Sequence, residues 1–168
     1  MWLRRTFHEC AEELKAQSDF FRSAYFNRRN FSPAERESSM VSASERGVEV
    51  LRILALSIRA DQDVGLTNNN PAAVGALRVD VTDDEITRTL TDYQPPYTQQ
   101  RGSRPLTLRQ ALNKIAHANP QRTGFYVDAN THDLLIAGTN RGESWLAVIS
   151  ILDLCRVIKS LPDAKIRS

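Results

Sequence analysis

The stretch GFYVDANTHDLLIAGTNRGESWLAVIS, Gly124 to Ser150, decides the fold. It holds three short runs of β-branched, aromatic and aliphatic residues, about 124–128, 134–138 and 144–149. The turn formers ANTH and TNRG separate them, a pattern that predicts three strands in an antiparallel meander. Ser150 and Asp153 then supply a cap, and Ile151, Leu154, Cys155 and Ile158 share one face of a final helix that Leu161-Pro162 stops. Upstream, Thr107 and Gln110 form a capping box that opens another helix, LRQALNKIAHA, ending near Asn119-Pro120. Residues 105–168 therefore read as an α-β-β-β-α unit.

The N-terminal part is helical. Leu3, Phe7, Cys10, Leu14, Gln17, Phe21 and Ala24 recur at spacings of three and four, predicting a helix over 3–27. SPAE, Ser32 to Glu35, combines an N-cap, a first-turn proline and a capping box, and starts a second helix. That helix is expected to break near a further possible box, Ser42 and Glu45. Its second half, around Val50, Leu51, Ile53, Leu54 and Leu56, is apolar on nearly every side. Residues 1–63 thus form a helical hairpin. The segment 64–104 reads as loops carrying a short strand over 77–81 and a short helix capped by Thr82 and Glu85. A polar, proline-containing loop over 92–105 is expected to be exposed and mobile. The fold class is α+β: one domain over 1–168, a helical hairpin packed on the α-β-β-β-α unit.

With 168 residues, 41% hydrophobic and 25% charged, the chain has ordinary globular composition. No window approaches the ~18 apolar residues of a membrane span, and no apolar run follows the first residues as in a leader, so a cytoplasmic protein without membrane contact is expected. Cys10 and Cys155 stand at opposite ends without CxxC partners, which argues against a disulfide or zinc framework and for two buried thiols. Walker, GxGxxG, GxSxG and HExxH motifs are absent. No cofactor is implied.

Charge is uneven although the net is +2. Between Asp61 and Asp92 seven acids face two arginines, whereas Tyr93 to Val127 holds no acid and five cations: Arg101, Arg104, Arg109, Lys114 and Arg122. The blocks neutralise one another within a chain or across a dimer, or the basic one meets an anion or nucleic acid. Arg101, Arg104, Lys114 and Arg122 are the candidate ligand- or anion-binding residues. Near the end of the first helix, Phe20, Phe21, Tyr25, Phe26 and Phe31 interleave with Arg22, Arg28 and Arg29, either as a hairpin core rimmed by arginines or as a base-stacking surface.

Arg109, Asn113 and His117 fall on one side of the helix after Thr107, off its apolar stripe. A cation beside an imidazole favours its neutral form, so these three are the candidate catalytic residues. Asp128, His132 and Asp133 suggest a metal set, but tight turns use the same residue types, and no metal site is assigned.

An arginine followed by a histidine on one helix resembles the HEPN family, whose members include metal-independent ribonucleases that dimerise to build their site; Arg109 and His117 stand farther apart than in that family. The resemblance implies RNA cleavage by Arg109 and His117 in a dimer. Residues 105–158 also resemble small uncharacterised bacterial proteins of integron mobile gene cassettes, which implies no activity. The expectation is a small binding or regulatory protein, homodimeric because the apolar helix surface exceeds what one sheet can cover. Its partner is a small ligand in a pocket between sheet and helices, or a protein. A phosphodiester enzyme and a non-catalytic nucleic-acid binder are the alternatives, and enzymatic activity is left open.

Overall fold

The computed structural model describes residues 5–27 and 29–166. Thr6 and Glu9 form a reciprocal capping box that starts helix α1, Phe7–Phe26. The helix therefore begins later than the periodicity predicts; residue 3 lies outside the described residues, as does Arg28. Ser32 and Glu35 cap α2, Pro33–Asp63, as expected. The helix then runs unbroken through Ser42, because Ala43, Gly47, Val50, Leu51 and Leu54 continue one buried stripe and Arg46 pairs with both Glu13 and Glu49. Tertiary packing overrides the second capping signal.

Five antiparallel strands follow, in the spatial order β2-β1-β5-β4-β3. They are β1, Ala73–Val79; β2, Arg104–Thr107; β3, Thr123–Val127; β4, His132–Asn140; and β5, Glu143–Ser150. The last three are the expected meander. The first two correct the sequence reading. β1 begins inside the expected loop and ends before Val81, and β2 overlaps the end of the expected mobile loop, with Pro105 tolerated on an edge strand. Small residues hide β1: AVGA shows no alternation, yet it runs between β2 and β5, and a Cβ at Gly75 would stand 2.0 Å from the Val148 carbonyl oxygen. Helices α3, Asp83–Asp92, α4, Leu108–His117, and α5, Ile151–Ser160, complete the chain.

The sheet is covered on both faces. Leu77, Leu106, Ile136, Trp145, Ala147 and Ile149 pack against the layer of α1, α2, α4 and α5, which buries both cysteines in the same core. The opposite face is covered by α3, through Ile86 and Leu90 on Ala137 and Leu146, and by the segment after it. That segment, expected to be exposed, lays Tyr93 and Tyr97 over Leu135 and Val148. The Tyr93 hydroxyl donates to Asp133 Oδ2 at 2.6 Å, and the Tyr97 hydroxyl donates to Asp153 Oδ2 at 2.8 Å. Two phenols thus cover a face that the one short helix leaves open.

Two glycines give opposite expectations. In Gly75→Ala the new methyl meets backbone, so urea denaturation should show a loss of about 2–4 kcal/mol. In Gly47→Ala, where a Cβ finds only side chains at 3.9 and 4.0 Å, helix propensity dominates and stability should rise by about 0.5–1 kcal/mol.

Candidate functional site

The antiparallel register fixes which side chains leave each face. Along β4, His132, Leu134 and Ile136 point to the helical layer, while Asp133, Leu135 and Ala137 point to α3 and the tyrosines. Phe125 on β3 pairs with Leu134 and joins the first set. Between this part of the sheet and the α1–α2 hairpin lies a half-open cleft of about 500 Å³. Leu134 and Ile136 form its floor, Leu14 and Phe21 one wall, Ala43, Gly47 and Leu51 the other, and Ile115 with Ala118 its far end. Gly47 keeps the cleft wide where α2 passes α1.

The lining is mostly apolar; Gln17, Ser44, Arg52 and Thr123 also border it, and one polar pair is hydrogen-bonded within it. Ser18 is 3% exposed on the buried stripe of α1, and its Oγ lies 2.8 Å from His132 Nδ1. Phe21 stacks on the imidazole, with centroids 5.3 Å apart and an interplanar angle of 26°. Burial, reinforced by the nearby Arg22 guanidinium, brings the His132 pKa down to about 4, so the ring is neutral at physiological pH. Arg22 is itself anchored: it donates to the Ala129 carbonyl at 2.9 Å and to Asp19 Oδ1 at 2.5 Å. When Ser18 donates to Nδ1, His132 carries its proton on Nε2. Nε2 makes no hydrogen bond among the described residues.

A serine hydroxyl beside a neutral imidazole has the elements of a nucleophile and its base. Two features oppose that role. Ser18 stands mid-helix, where neighbouring amides are engaged in the helix and cannot form an oxyanion hole, and an imidazole with a pKa near 4 is a weak base. The pair is instead suited to hydrogen-bond recognition in an apolar setting.

The sequence-derived candidates lie elsewhere. Arg109 reaches the C-terminal end of α2, donating to Asp63 Oδ1 at 2.6 Å and to the Arg59 carbonyl at 3.1 Å. Its cation there complements the helix dipole. Asn113 is half-buried, and His117 is exposed at the end of α4, about 12 Å further along the helix axis than Arg109. Arg122 pairs with Asp83 at 2.7 Å, and Lys114 lies 4.4 Å over the Trp145 ring. Desolvation and the nearby Arg104 lower the Lys114 pKa. Arg101 and Arg104 are exposed and form no ion pair among the described residues. Two of the five cations of the basic block, Arg109 and Arg122, are therefore neutralised by the acidic block of the same chain.

The suggested metal set is divided. Asp128 Oδ1 accepts from the Asn130 amide in the turn, His132 enters the cleft, and Asp133 is buried on the other face, where burial raises its pKa. The α1 periodicity places Gln17, not Ser18, at the polar position of the stripe, so Ser18 does not stand out by spacing. Seen as a serine on a buried stripe, it signals a partner, since buried hydroxyls are hydrogen-bonded.

The imidazole should titrate far below an ordinary histidine. Since the folded pKa lies below 6.5, the unfolded chain takes up the proton first; stability is full above pH 6.5 and falls as pH drops towards 4. The expected loss is about 2–3 kcal/mol over that window relative to His132→Gln, which removes the titration. A proton NMR midpoint near 4 for His132 agrees with this; a midpoint above 6 would contradict it.

Compared with known proteins, the chain matches no family model, no curated protein and no solved structure.

Proposed function

We propose that this chain is a small binding protein whose cleft between the helical hairpin and the sheet takes an apolar molecule bearing one hydrogen-bonding group. The observation that carries this reading is the hydrogen-bonded Ser18–His132 pair within a mostly apolar cleft of about 500 Å³. Ligand sites commonly combine such a volume with few, well-oriented polar groups. An Nε2–H in low-dielectric surroundings strengthens a hydrogen bond to a carbonyl or ether oxygen. The neutral ring avoids the cost of an unpaired buried charge.

Binding would draw on apolar contact with Leu134, Ile136 and Phe21, while the imidazole orients the ligand. Gly47 and Ala118 are small where the cleft needs room, and they set the length of ligand that fits.

The fluorescent apolar probe 1-anilinonaphthalene-8-sulfonate should bind with one-site saturation and gain fluorescence. Ala118→Phe, which fills the far end of the cleft, should weaken that binding about tenfold or more, equivalent to about 1.4 kcal/mol. Absence of saturable binding, or equal affinity in the variant, would overturn the reading.

A further inference from the structure

We propose that the solvent-facing side of α2 pairs with the same helix of a second copy of this chain in an antiparallel, two-fold contact. At 100° per residue, Val41, Glu45, Val48, Arg52 and Leu56 fall within a sector of about 80° on the exposed side of α2, with Val48 and Arg52 at its border with the cleft. Val41 is 50% exposed, Val48 41% and Leu56 67%. Single exposed apolar residues are ordinary, but these three form a line about 22 Å long on one helix.

Charge along that line selects the partner. Glu45 and Arg52 are both exposed, and neither forms a hydrogen bond or ion pair among the described residues. A two-fold axis perpendicular to α2, passing between the two helices at the level of Val48 and Glu49, sets Glu45 opposite the partner's Arg52, and Val41 opposite the partner's Leu56. Each pair is equidistant from the axis. Val48 lies beside it and meets the partner's Val48. The face is therefore complementary to itself in both charge and hydropathy, as an isologous contact requires. A parallel arrangement would instead align Glu45 with Glu45 and Arg52 with Arg52. Glu45 and Arg52 lie seven positions apart on α2, too far for direct pairing within the helix.

Val48 and Arg52 also border the cleft, but the contact does not rest on the cleft reading, and its test, the oligomeric state, is separate. Light scattering on the full chain, over a concentration series into the hundreds of micromolar, should give a species of twice the 18.9 kDa chain mass. Glu45→Arg or Arg52→Glu alone sets like charges against each other at two symmetric places and should weaken dimerisation about tenfold. The combined variant E45R/R52E should return to within about threefold of the unmodified protein. Val48→Glu should leave only monomer, with its helical circular dichroism unchanged because the position is exposed. A monomer at every concentration, a dimer indifferent to Glu45→Arg, or a combined variant no tighter than the single ones would overturn the proposal.

Discussion

The structure depends on β5 being buried on both faces. From Trp145 to Ser150 every side chain is enclosed, so neither a helical layer nor a tyrosine-bearing cover alone would suffice. Alternation along β5 sends Trp145, Ala147 and Ile149 towards the four-helix layer and Leu146 and Val148 towards α3, Tyr93 and their neighbours. Register then propagates outward. Ala147 faces Ile136 on one side and Leu77 on the other, which brings His132 to the cleft and Asp133 to the opposite face. A slip of one residue would exchange the imidazole with a carboxylate and invert the polarity of both faces.

Electrostatics reinforces this arrangement locally. The acidic segment before β2 and the basic segment after it meet at Arg109–Asp63 and Arg122–Asp83, which connect α4 to α2 and the β3 approach to α3. Exposed ion pairs of this kind contribute little stability individually. Their effect here is to neutralise two of the five cations that the linear sequence presents as a basic patch. Arg101 and Arg104 remain as exposed cations.

Much of the fold was legible because it depends on local chemistry. Capping boxes at Ser32, Thr82 and Thr107 mark true helix starts, and turn formers at 128–131 and 140–142 separate the meander strands. What local signals missed has a common cause. β1 is built of small residues whose alternation is invisible, β2 contains a proline, and α2 ignores a capping signal in favour of its long buried stripe. The segment with Tyr93 and Tyr97 reads as exposed by composition, yet two phenols with carboxylate partners make it a cover for the sheet.

By itself, the sequence determined the α+β class, the three-stranded meander and most helix starts, because caps, turns and periodicity act over a few residues. Only the tertiary structure decided the five-strand order, the cover on the second face and the meeting of Ser18 with His132 across 114 positions. The physical reason is range. Hydrogen bonds within a turn or a helical start are written in neighbouring residues, whereas pairing a serine on α1 with a histidine on β4 requires the register of the whole sheet.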